Sequence, residues 1–159
     1  MKISMGVAAG LALMCGLPFA SYGSENATAG KADVRAFFQA YLAAANEPVP
    51  NVQLPAIWVY SPAGHLVARI DNADALDAAK AILAAPQAAP LSTMRLTQVT
   101  GLLKTLGVDT GAVPEGAWTL LLLRSESCAQ PCQPFHAAMA SLQASQPGAV
   151  RAVDLAFNR

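Results

Sequence analysis

The most constraining feature of the sequence is the uninterrupted apolar run WTLLLL at residues 118–123. A run of this length without alternation is typical of a strand that is buried on both faces of a sheet. The following residues predict a helix from about Cys128 or Pro131 to Ala144, whose inward face is Phe135, Ala138, Met139 and Leu142. The last strand, AVRAVDLAF, completes a βαβ unit, which we expect to be a right-handed parallel crossover.

Two further helices are predicted from apolar residues at helical spacing. Asp33 is the expected N-cap of the first, and Asn46-Glu47-Pro48 ends it, because proline cannot continue the helical hydrogen bonds. The second is expected to open at Ser92 and to end just before Gly107, since glycine is favoured immediately after a helix.

A β-hairpin is predicted between these two helices. Its strands are Ile57–Tyr60 and His65–Ile70, and a turn containing proline and glycine joins them. A helix over 75–85 follows, with Asn72 or Asp74 as its cap. The element order is therefore α-ββα-α-βαβ, which predicts an α/β protein with about four strands and helices on both faces of the sheet.

The N-terminus has the layout of a secretory signal peptide over residues 1–23. Lys2 precedes the apolar stretch Ile3–Leu17, and Ser21-Tyr22-Gly23 offers small residues for cleavage before Ser24. We therefore expect a periplasmic or secreted protein without a membrane span after cleavage. Cys15 leaves a lipoprotein as an alternative, although the methionine before it is large for a lipoprotein cleavage site.

The composition of the remaining chain fits one folded domain. Residues 24–32 are small and polar and are expected to form a flexible lead-in, and residues 33–159 are expected to form a single domain. The chain has 54% hydrophobic residues, 13% charged residues and no formal net charge. These values argue against a disordered chain and against a nucleic-acid-binding protein, which would carry a basic surface.

After signal cleavage the only cysteines are Cys128 and Cys132, which follow the buried strand directly. In an oxidising compartment, two cysteines this close are expected to pair with each other. The residues alone leave three possibilities: a redox pair, part of a metal site, or an inert disulfide.

Two stretches resemble parts of the thioredoxin superfamily, and together they cover about half of the mature chain. WTLLLLRSESCAQPC resembles the strand, loop and cysteine-bearing helix start of that family, and LPAIWVYSPAGHLVARIDNADALDAAKAIL resembles its closing ββα unit. The resemblance implies a thioredoxin-like three-layer α/β/α sandwich in which the Leu54-Pro55 bond is cis and Pro55 lies beside the active cysteine. The two units occur in inverted order, as in a circularly permuted thioredoxin fold.

The resemblance also implies a role for the cysteines in thiol–disulfide exchange with other exported proteins, without a dissociable cofactor. A helix start lowers the pKa of a cysteine, which favours the reactive thiolate. Cys128 is the expected attacking thiol and Cys132 the resolving thiol, because Cys128 is nearer the end of the strand and is expected to be the more exposed of the two. His136 lies four residues after Cys132 and would share a helical face with it, so Cys128, Cys132 and His136 form a possible site for copper(I) or zinc. The C-x-x-x-C spacing also resembles the SCO-type copper chaperones, which implies copper(I) on the two cysteines with the hairpin-side His65 as the alternative third ligand. A non-catalytic interaction module with a structural disulfide is the third alternative.

Overall fold

A computed structural model of the protein describes residues 27–47, 52–72, 76–85, 89–114 and 116–158. The elements in these ranges are β1 (Ala27–Asp33), α1 (Val34–Ala45), β2 (Ala56–Tyr60), β3 (Leu66–Ile70), α2 (Leu76–Ala84), α3 (Leu96–Thr105), β4 (Trp118–Ser125), α4 (Gln133–Ser145) and β5 (Val150–Asn158). A short 3₁₀ turn, Gln130–Cys132, lies directly before α4. In the described part of the chain, none of the helices is long and apolar enough to cross a bilayer.

The five strands form one mixed, open sheet in the order β1-β5-β4-β2-β3. Strand β5 is parallel to both β1 and β4, as expected for the β4-α4-β5 crossover. Strand β2 is antiparallel to β4 on one side and to β3 on the other. The apolar run at residues 118–123 therefore lies in the central strand, β4, of an α/β sheet.

Side chains from β4 enter two separate cores, one on each face of the sheet. Leu121 and Leu123 pack in the core that α1 and α3 cover. Trp118, Leu120 and Leu122 pack in the core that α2 and α4 cover. Successive side chains of a strand point to opposite faces, so a strand between two helical layers is buried on both of them and is largely apolar, as β4 is apart from the buried Thr119. The prediction of helices on both faces is confirmed.

Two predicted helix boundaries are also found at the expected residues, namely Asp33 before α1 and Gly107 after α3. The Asp33 carboxylate accepts a hydrogen bond from the Ala36 N–H at 2.7 Å, which makes it the N-cap of α1. After α3, Gly107 has a positive φ of 79°. Its N–H and that of Val108 donate to the carbonyls of Lys104 and Leu103, which satisfies two of the last carbonyls of the helix.

Two sequence predictions need correction. The sheet has five strands rather than about four, and the additional strand, β1, occupies most of the segment 24–32 that was expected to be a flexible lead-in. Helix α3 begins at Leu96 rather than at Ser92, because the buried Ser92 hydroxyl is bonded to Tyr41 at 2.8 Å. The signal peptide 1–23 and the proposed cap Asp74 lie outside the described residues.

Candidate functional site

The two cysteines lie in the loop that joins the central strand β4 to α4. The loop begins with a turn in which the Cys128 N–H donates to the Ser125 carbonyl at 3.0 Å. The neighbouring Glu126 N–H donates to the Phe157 carbonyl of β5 at 2.8 Å, which fixes the loop against the sheet. Cys132 is the N-cap residue of α4. Both cysteines are thus close to the helix start, where backbone N–H groups are unpaired and the local potential is positive.

A disulfide joins Cys128 and Cys132, with an S–S distance of 2.06 Å and a Cα–Cα distance of 5.9 Å. The two cysteines differ in exposure, since Cys132 is completely buried and Cys128 is partly exposed. Pro131 and Cys132 lie in the 3₁₀ turn before α4, and Cys128 precedes this turn. A reagent or protein can therefore approach the pair only from the Cys128 side.

Pro55 lies at the same end of the sheet as the cysteine loop. The Leu54–Pro55 peptide bond is cis, as the resemblance implied. Strand β2 begins at the next residue, and Ala56 is paired with Leu123 of β4, two residues before β4 ends. The order of the strands thus brings Pro55 to the edge of the sheet from which Cys128 emerges.

His65 lies at the opposite end of the sheet from the cysteines. It follows the hairpin turn, where its carbonyl accepts a hydrogen bond from the Ser61 N–H at 2.8 Å. At this end of the hairpin Tyr60 is paired with Thr119, near the beginning of β4. The six residue steps from Thr119 to Ser125 correspond to about 20 Å along a strand. His65 therefore does not lie beside the disulfide.

His136 is bound to a carboxylate of the neighbouring strand. Its Nε2 lies 3.2 Å from an Asp154 oxygen, and the other Asp154 oxygen accepts a hydrogen bond from Arg124 Nε at 2.7 Å. Arg124 and Asp154 are mostly buried, with side-chain exposures of 17% and 19%. Within the described residues there is no group of three or more His, Cys, Asp or Glu side chains arranged to hold a metal ion.

An ion pair between Lys31 and Glu126 lies beside the cysteine loop and was not predicted from the sequence. Glu126 stands two residues before Cys128, where its negative charge opposes a thiolate, and Lys31 of β1 offsets that charge. Arg124, the basic residue closer to Glu126 in the chain, is engaged with Asp154 instead. The contact joins residues 95 positions apart, so no local sequence signal could have revealed it.

Asp154 was also not predicted as a site residue, although the sequence contains a signal for it. It is the single acidic residue in the apolar strand AVRAVDLAF, where a carboxylate needs a buried partner.

Comparison with known proteins gives no further assignment, because no family model matches the chain and no curated protein or solved structure is significantly similar to it.

Proposed function

We propose that the protein is an exported, thioredoxin-like protein that exchanges thiols and disulfides through Cys128 and Cys132. The observation that carries this proposal is the unequal exposure of two bonded cysteines at a helix start: Cys128 is partly exposed and Cys132 is fully buried. An exchange enzyme needs this inequality, because one sulfur must meet the substrate and the other must be kept for the second step. A disulfide that served only as a cross-link would stabilise more by closing a longer loop.

The thioredoxin-like reading of the fold is supported by the arrangement of the two units that carry the resemblance. The hairpin β2-β3 adds antiparallel strands next to the cysteine-bearing strand β4, and β4-α4-β5 is a parallel unit. Pro55 and Cys128 come to the same end of this sheet although they are 73 positions apart in the chain. The ββα unit still precedes the βαβ unit, so the fold we propose is a permuted one.

In the reduced protein the exchange proceeds in two balanced steps. The Cys128 thiolate attacks one sulfur of a substrate disulfide, forms a mixed disulfide and releases the first substrate thiolate. The Cys132 thiolate then attacks the Cys128 sulfur, forms the intramolecular disulfide and releases the second substrate thiolate. Two electrons pass from the cysteine pair to the substrate, and the reverse sequence oxidises a dithiol. The positive potential of the α4 start favours the thiolate in both steps.

The proposed partners are exported proteins that carry thiols or disulfides, in the periplasm or outside the cell. This part of the proposal rests on the signal-peptide layout of residues 1–23 and on the proposed exchange chemistry of the two cysteines. Pro55 is assigned to the substrate side of the site, because it is at the end of the sheet where Cys128 is partly exposed.

The proposal is tested by turnover of a model disulfide with the purified, reduced protein. We expect exchange activity that is lost in Cys128→Ser, whereas Cys132→Ser should accumulate a mixed disulfide that can be detected by mass spectrometry. The pKa of the Cys128 thiol should lie well below that of a free cysteine. Absence of turnover together with an ordinary thiol titration would overturn the proposal. Stoichiometric copper(I) binding by a reduced protein that lacks exchange activity would replace it with the copper-chaperone alternative.

A further inference from the structure

Three side chains on one face of the β2-β3 hairpin carry polar atoms that have no hydrogen-bond partner although they are buried. These atoms are the indole Nε1 of Trp58, the hydroxyl of Tyr60, and Nε and Nη2 of Arg69, and they lack a partner within the described structure. Trp58 and Tyr60 are completely buried. Buried polar groups are nearly always paired in folded proteins, so a group of unpaired ones requires an explanation.

The three side chains are neighbours in the sheet. Trp58 and Arg69 are directly opposite each other in the β2-β3 pair, and the Arg69 guanidinium carbon lies 5.2 Å from the centre of a Trp58 ring. Tyr60 follows Trp58 by two residues and therefore points to the same face, which α1 and α3 cover. Burial, the largest effect, and the nearby Tyr41 raise the pKa of Tyr60, while the positive charge of Arg69 lowers it. The phenol is therefore neutral and able to donate.

Each of the unpaired atoms can donate a hydrogen bond, and those of Arg69 have a defined geometry. The indole N–H only donates, and the guanidinium has no acceptor atom. In Arg69 the two unpaired nitrogens, Nε and Nη2, form one edge of the guanidinium, from which two N–H bonds point in parallel. This edge matches the two oxygens of a carboxylate or a phosphate.

The protein does not supply an acid to this edge from its described residues, where no ion pair of Arg69 with a carboxylate is found. The acid that senses its charge, Glu47, is committed elsewhere. One Glu47 oxygen accepts hydrogen bonds from the Thr93 N–H at 2.5 Å, from the Thr93 hydroxyl at 2.9 Å and from the Ser92 hydroxyl at 3.1 Å. These bonds anchor Glu47 to the segment before α3, so the donors of Trp58, Tyr60 and Arg69 are left for another group.

We propose that Trp58, Tyr60 and Arg69 form a binding site for a small oxyanion, a carboxylate or a phosphate group, which the Nε–Nη2 edge of Arg69 holds with two hydrogen bonds. The indole of Trp58 and the hydroxyl of Tyr60 supply the further donors. Arg69 is partly exposed as a residue, so the site borders the protein surface. It lies in the hairpin on the core face of α1 and α3, and it is independent of the cysteine chemistry.

The test is isothermal titration of the purified protein with acetate and, separately, with inorganic phosphate, at constant low ionic strength and with chloride as the reference anion. We expect saturable binding of one anion per chain. Arg69→Lys keeps the positive charge but loses the two-pronged edge, and it should weaken binding about tenfold or more. The matched control is Arg151→Lys, which alters another partly buried arginine with an unpaired nitrogen, on β5 of the same sheet, and should leave the affinity unchanged.

Tyr60→Phe provides a second variant, because it removes one buried oxygen and keeps the shape of the core. It should weaken binding about threefold to tenfold, and circular dichroism checks that each variant is folded. Which of the two anions binds more tightly distinguishes a carboxylate from a phosphate ligand. The proposal is overturned if neither anion binds saturably, if chloride binds equally well, or if Arg69→Lys and Tyr60→Phe both retain the affinity of the unaltered protein.

Discussion

Replacing each cysteine by serine should destabilise the protein to different extents, because the two sulfurs differ in burial. The disulfide closes a loop with a sequence separation of only 4. For a loop this short the chain-entropy relation gives a contribution of about 2 kcal/mol, and either replacement removes it. Cys132→Ser in addition places a hydroxyl at a fully buried position, which costs about 1–3 kcal/mol more if the hydroxyl finds no partner. The partly exposed Cys128→Ser hydroxyl can reach water.

We therefore expect a loss of about 2 kcal/mol in the free energy of unfolding for Cys128→Ser and about 3–5 kcal/mol for Cys132→Ser. The measurement is equilibrium unfolding in urea, evaluated by linear extrapolation. The unaltered protein in excess reductant is the reference, since it loses the cross-link alone and should match Cys128→Ser. Equal destabilisation by both replacements would refute the unequal burial on which the assignment of attacking and resolving cysteines depends.

Three further predictions concern the frame around the site. Gly107→Ala should cost about 1–2 kcal/mol of unfolding free energy because of the positive φ at that residue. Gly101→Ala lies inside α3 with open space around its Cβ position, and it should stabilise the protein by about 0.5–1 kcal/mol. Equal effects of the two substitutions in urea unfolding would contradict this prediction. Asp154→Asn should cost about 1–3 kcal/mol in the same assay, because it leaves the mostly buried Arg124 without its carboxylate, and a neutral result would show that the pair contributes little. The pKa of Glu47 is lowered below its ordinary value of 4.5, above all by the hydrogen bond from the Thr93 N–H. The stabilisation by Glu47 is therefore present above about pH 4.5 and is lost as the pH falls through the lower folded-state pKa. The difference in unfolding free energy between the unaltered protein and Glu47→Gln should shrink over that acid range.

The elements that could be predicted from the sequence are those whose pattern is set by burial alone. The helix α1 was found because Phe37 and Tyr41 recur on one face, and both are completely buried. The strand β4 was found because a strand between two helical layers has no solvent-facing position to mark with a polar residue. In both cases the local pattern and the tertiary environment carry the same information.

Two features were missed because a distant element determines them. Strand β1, with the sequence ATAGKAD, has neither alternation nor many β-branched residues, and its parallel pairing with β5 gives it strand structure. Ser92 is a good N-cap residue by type, but its hydroxyl bonds to Tyr41 and Glu47, which come from α1 and the residues after it. Ser92 therefore stays in the segment before the helix, where its hydroxyl also accepts a hydrogen bond from the Met94 N–H at 3.1 Å, and no local window contains its contacts with Tyr41 and Glu47.

The histidines show how topology restricts a site more strongly than spacing does. Pro55 and His65 lie at opposite ends of β2, and β2 is antiparallel to the strand that leads to Cys128. Only one end of β2 can therefore be next to the cysteines, so an arrangement that brings Pro55 to them removes His65 from any shared metal site. For His136 the spacing of four residues from Cys132 is compatible with a common side of α4, but Phe135 and Met139 fill the buried stripe and leave His136 at its flank, where it meets Asp154. A helical spacing defines which residues can be neighbours along the helix, and the adjacent strand decides which of them become partners.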